Sequence, residues 1–130
     1  MRLGCSLAKA IGVLLAAALG VVAMSWRAAE THDVREIRLV ARGMTFYLDG
    51  AGEANPTLRL HAGETVRLVL RNEDRGMTHD VTVPEWNAAT PLVAGLHDGS
   101  AVVTAPSRGT RTGYYCSPHQ QTMKGTIIVE

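Results

Sequence analysis

The chain is 130 residues long, the length of one domain rather than two. Lys and Arg total 13 against 12 Asp and Glu, and a formal charge of +1 excludes the basic footprint of a nucleic-acid binder. With 46% hydrophobic and 19% charged residues, the chain is too apolar to remain disordered.

In chain order the N-terminus comes first. Arg2 and Lys9 precede an uncharged run over residues 10–26, rich in Ala, Leu, Val and Gly. That run is longer than most signal-peptide cores and near the short end for a membrane span. Residues 1–26 are therefore read as an apolar helix serving as a signal peptide or an N-terminal membrane anchor, and residues 27–33 as a short linker. Cys5 lies ahead of the apolar run, badly placed for a lipoprotein cut. Either reading exports the remainder, to the periplasm or another extracytoplasmic compartment, free after cleavage or tethered through residues 10–26.

From residue 34 the pattern is that of strands. Val34–Val40 alternates apolar and charged side chains, as a half-buried strand does. Met44–Leu48 follows, closed by Asp49-Gly50. Leu58–His61 and Thr65–Leu70 read as two strands joined by a tight turn at Ala62-Gly63, a hairpin. Asp80–Val83 is stopped by Pro84, which cannot donate to a central ladder. Ala101–Thr104, Thr112–Tyr115 and Thr126–Val129 complete the series, and residues 84–100 read as a loop or short helical turn. Seven or eight short strands without helical periodicity predict an all-β fold, a Greek-key β-sandwich, over residues 34–130.

Beyond residue 26 the chain keeps 104 residues, with 11 basic and 12 acidic side chains. Cys116 is the sole cysteine among them, so it has no disulfide partner in the chain. A lone thiol in an oxidising compartment is a liability unless it is buried or bound to a metal. Its neighbours favour the metal. In Tyr114-Tyr115-Cys116-Ser117-Pro118-His119-Gln120-Gln121-Thr122-Met123, a thiol, an imidazole and a thioether share one loop between two strands. Soft sulfur donors with imidazole suit copper, and one further His would complete a Cys/His/His set with a weak axial Met. Zinc is less favoured, because no paired Cys spacing exists. Pro118 stiffens the loop.

The segment Tyr115–His119 followed by Met123–Val129 resembles the carboxyl end of the cupredoxins, small type 1 blue copper proteins of the plastocyanin and amicyanin kind. Its His-to-Met spacing is intermediate between those two, which leaves the subclass open. The resemblance implies one bound copper ion and a first His ligand on an earlier strand. His79 fits best, 37 residues before Cys116 and opening the strand Asp80–Val83. His97 reads as a turn residue, and His32 and His61 as solvated. The implied metal ligands are His79, Cys116, His119 and Met123, with Met44 and Met77 as rival thioethers. Many cupredoxins carry Asn after the first His; here Asp80 takes that place, able to accept but not donate when ionised. Tyr114 points inward by strand alternation and Tyr115 outward, where the resemblance makes it a candidate on the electron path.

The leading functional expectation is an electron carrier with transient redox protein partners, acting as a monomer and not as an enzyme. No catalytic triad, phosphate loop or carboxylate pair is evident, and a copper nitrite reductase would need a second domain. The alternatives are a copper-handling protein that delivers the metal without redox work, and a sandwich that has lost its metal.

Overall fold

The computed structural model describes residues 33–130. The apolar segment 10–26 and linker residues 27–32 lie outside the described residues. Among the described residues no helix is long and apolar enough to cross a membrane.

Eleven short strands build the described region. One sheet contains β2 (Phe46–Leu48), β1 (Arg35–Ala41), β4 (Thr65–Asn72) and β9 (Asp98–Thr104), in that order. The second contains β3 (Thr57–Leu60), β11 (Lys124–Val129), β10 (Arg111–Tyr115), β6 (Thr82–Val83) and β7 (Ala88–Ala89). A two-stranded ribbon of β5 (Thr78–His79) and β8 (Val93–Ala94) supplements them. The connections carry the chain repeatedly from one sheet to the other, as a Greek-key sandwich requires. Alternation places Ile37, Leu39, Val66, Leu68 and Leu70 inside from one sheet, and Leu58, Leu60, Tyr114, Ile127 and Val129 from the other. Tyr114 donates its hydroxyl to the Pro56 carbonyl at 2.7 Å, so its one polar atom is satisfied in the core.

Each of the eight expected segments carries a strand, but three local readings need correction. The segments 58–61 and 65–70 are not a hairpin. β3 pairs in parallel with β11, whereas β4 pairs in parallel with β1 and antiparallel with β9. The turn between them crosses the sandwich, because both strands present apolar residues inward from opposite layers. The span Asp80–Val83 is also not one strand. His79 ends β5 and pairs with Val93, while Thr82 pairs with Tyr115 in the other sheet. The chain passes from the β5–β8 ribbon to the second sheet at Asp80-Val81, where the Val81 N–H is taken by Thr90 Oγ1 at 2.9 Å. Residues 84–100, read as irregular, contain a 3-10 turn (Pro84–Trp86), β7, β8 and the start of β9. Two-residue strands carry too little alternation to be seen in sequence.

Candidate metal centre

The loop joining β10 to β11 is closed upon itself by backbone hydrogen bonds. Cys116 follows β10, and Ser117–His119 form a 3-10 turn with Pro118 in its first positions, where a missing N–H costs nothing. His119 N–H donates to the Cys116 carbonyl at 3.0 Å, and Met123 N–H to the His119 carbonyl at 2.9 Å. Cys116 N–H in turn reaches the Met123 carbonyl at 3.0 Å. These bonds make the Cys-to-Met segment one tight ring, so its side chains start from fixed backbone positions.

His79 meets this ring from the β5–β8 ribbon. Its Nδ1 lies 3.5 Å from Cys116 Sγ, and His119 Nδ1 lies 3.5 Å from the same sulfur. The three donor atoms fall within 4.8 Å of one another. Cys116 and His79 have no exposed surface, whereas His119 is half-buried and keeps one edge toward solvent. Burial pushes the Cys116 thiol up. Burial also pushes His79 down, partly opposed by its bond to Asp74, and this disfavours the charged form of the ring. A neutral imidazole is the ligating form, and a thiol yields its proton to a metal.

Met123 is fully buried in the core cluster that also contains Cys116. Met44 and Met77 are half-buried on the β1–β2 and β4–β5 connections. His97 is exposed and bonds its own turn through the Gly95 carbonyl at 3.0 Å, and His61 is exposed on the turn between β3 and β4. Neither joins the cluster around Cys116.

Asp80, between β5 and β6, anchors the loop. Its carboxylate accepts from Ser117 N–H and Ser117 Oγ, both at 2.6 Å, and from Thr82 Oγ1 at 3.2 Å. Two hydroxyls and an amide thus do the donating that an ionised Asp cannot. Tyr115, half-buried at the end of β10, is paired with Thr82 and Lys124. One further residue escaped the sequence reading. Asp74 Oδ2 lies 3.0 Å from His79 Nε2, a contact between a loop and a strand end that no spacing rule announces.

One soft thiol and two imidazoles converging at one end of a two-sheet sandwich are the donor set of a mononuclear blue-copper centre. The comparisons agree. Residues 52–130 match the copper binding proteins of the plastocyanin/azurin family. The fold is similar to auracyanin A, a "blue" copper protein from the green thermophilic photosynthetic bacterium Chloroflexus aurantiacus, with 18% identity, a TM-score of 0.58, and 73% of this chain and 98% of that one covered. Auracyanin B is similar at 17% identity and a TM-score of 0.59, covering 74% and 88%. A copper-containing nitrite reductase from Thermus scotoductus SA-01 matches at 25% identity and a TM-score of 0.58, but the match covers 74% of this chain and only 27% of that enzyme. No curated protein sequence matches the chain. The chain belongs to the plastocyanin/azurin family of copper binding proteins, the cupredoxins, and copper is its cofactor.

Proposed function

We propose that this chain is a type 1 copper electron carrier acting outside the cytoplasm, with His79, Cys116, His119 and Met123 holding one ion. The observation that carries this reading is the burial gradient across the cluster. Cys116 and His79 are sealed in the core, and His119 alone keeps an edge at the surface. A sealed thiol and imidazole retain an ion, and an exposed imidazole edge offers a short path for an electron. Bound copper supplies the one-electron cuprous/cupric couple.

The protein's own residues supply rigidity. The closed ring of backbone bonds from Cys116 to Met123, the Pro118 turn and the Asp80 anchor keep the donors in place when the charge of the site changes. Tyr115, beside Cys116 at the end of β10, is a second candidate on the electron path. Partners are transient redox proteins, met in small and weak encounters. The near-neutral chain offers them little long-range steering. The carrier works as a monomer and is not an enzyme. It is periplasmic or otherwise extracytoplasmic, free or tethered through residues 10–26.

The copper-handling alternative differs in a measurable way. The copper-loaded protein is titrated through repeated reduction and oxidation in the presence of a cuprous chelator. The carrier reading predicts one copper per chain, retained over many reversible cycles. Rapid loss of the reduced ion to the chelator would overturn it and favour delivery.

A further inference from the structure

A ligating imidazole must present an unprotonated nitrogen to the metal, so its other nitrogen carries the proton. In a fully buried ring that proton needs an acceptor. For His79 the acceptor is Asp74, whose Oδ2 lies 3.0 Å from Nε2. A neutral carbonyl would fix the same tautomer, whereas a carboxylate adds a negative charge.

The carboxylate is itself held on several sides. Gly43 N–H donates to Oδ1 at 2.6 Å and Met44 N–H donates to Oδ2 at 3.0 Å. Gly43 and Met44 both adopt left-handed backbone, at φ +58° and +56°. For a residue with a side chain such as Met44 this conformation is strained, and it turns two successive amides toward one anion. The Asp74 N–H donates to Asn72 Oδ1 at 2.9 Å, and the buried Asn72 amide donates to the Met77 and Val93 carbonyls at 2.9 and 2.8 Å. Asp74 therefore cannot swing into water without breaking the loop around it.

We propose that Asp74 is a positioning residue of the copper site: its bond to Nε2 fixes His79 with Nδ1 facing Cys116 Sγ, and its charge lowers the reduction potential of the bound ion. The inference rests on His79, Cys116 and His119 being copper ligands. The sign follows from charge. With a thiolate and Asp74, the cupric site is formally neutral and the cuprous site carries one negative charge, so the carboxylate favours the cupric state.

Two measurements test it. In the metal-free, unsubstituted chain, long-range proton–nitrogen correlation NMR should find His79 as the Nε2–H tautomer with a slowly exchanging proton. An Nδ1–H tautomer would overturn the proposal. In the copper-loaded protein, Asp74→Asn should keep the visible band, raise the potential and weaken cupric affinity by about 10–100-fold. Asp74→Glu, which keeps the charge, should stay closer to the parent potential than Asp74→Asn. An Asp74→Asn protein that is less stable but has the parent potential would show a purely structural clamp and overturn the proposal. If Asp74→Asn does not fold, the tautomer of the unsubstituted chain decides. A colourless cupric parent would sink the site reading itself, whereas a coloured parent with an unmoved Asp74→Asn potential sinks only the role of Asp74.

Discussion

Cys116 and Met123 are both buried sulfur residues on one loop, yet they should fail differently on substitution. Cys116 is the only cysteine among the described residues and its thiolate would be the strong soft donor of the site, so Cys116→Ser should abolish the coloured copper centre whatever metal remains bound. A thioether is a weak axial donor that disfavours cupric copper relative to an oxygen donor. Met123→Gln should therefore keep the colour and lower the reduction potential, as voltammetry would record. An unchanged potential would make Met123 core filler and turn attention to Met77. His79→Ala should weaken the visible band and His97→Ala should leave it intact, because His79 Nδ1 lies 3.5 Å from the sulfur and His97 is occupied with its own turn. The reverse pattern would transfer the assignment. At this scale the sequence was informative where the chemistry is local. Cys116, His119 and Met123 stand within eight residues of one another, and a three-residue Cys–His spacing brings both donors to one side of a tight turn. Asp74 was not legible, because an Asp five residues before a His carries no signal until the loop between them is folded.

Strands β10 and β11 carry the ligand loop, and of the two glycines in them only one is tightly constrained by its neighbours. Gly125 lies opposite Tyr114, and a Cβ placed there would overlap the Tyr114 ring, which is locked by its bond to Pro56. A Cβ at Gly113 would meet only the Gly125 carbonyl, at 3.7 Å, an ordinary contact. Gly125→Ala should therefore cost about 1–3 kcal/mol by overpacking, and Gly113→Ala far less. Urea unfolding of the two variants would check this; equal losses would contradict it. The long strands were readable because Ile37, Leu39, Val66, Leu68 and Leu70 alternate over several positions. Which sheet a strand joins was not, since inward alternation looks the same from either layer. That is why β3 and β4 read as a hairpin, and why the passage from the β5–β8 ribbon to the second sheet at Asp80-Val81 was hidden inside one apparent strand.

Across the whole molecule, the turn between β3 and β4 is tied back to β1 by a two-pronged ion pair. Arg35 Nε and Nη2 reach the two Glu64 carboxylate oxygens at 2.7 and 3.0 Å, and His61 N–H donates to Oε2 at 2.8 Å. The Arg35 bond first, and then the His61 amide, pull the Glu64 carboxyl down from 4.5 to about 2. A carboxyl depressed in the folded state adds stability that is present above its unfolded value and lost as pH falls toward about 2. Solvent screens the half-exposed pair, so Glu64→Gln should cost about 1 kcal/mol or less at neutral pH. The difference from the parent should vanish near the folded value. Urea midpoints at neutral and acid pH would check the sign, and a difference that grew on acidification would contradict it.

The proposed electron carrier depends on the sealed Cys116 thiol, flanked by His79 and His119, forming a type 1 copper site. The visible absorption spectrum of the oxidised, copper-loaded protein tests it most directly. An intense thiolate-to-copper charge-transfer band should appear at one copper per chain and be absent in Cys116→Ser. A cupric protein that binds one copper per chain without colour would contradict it.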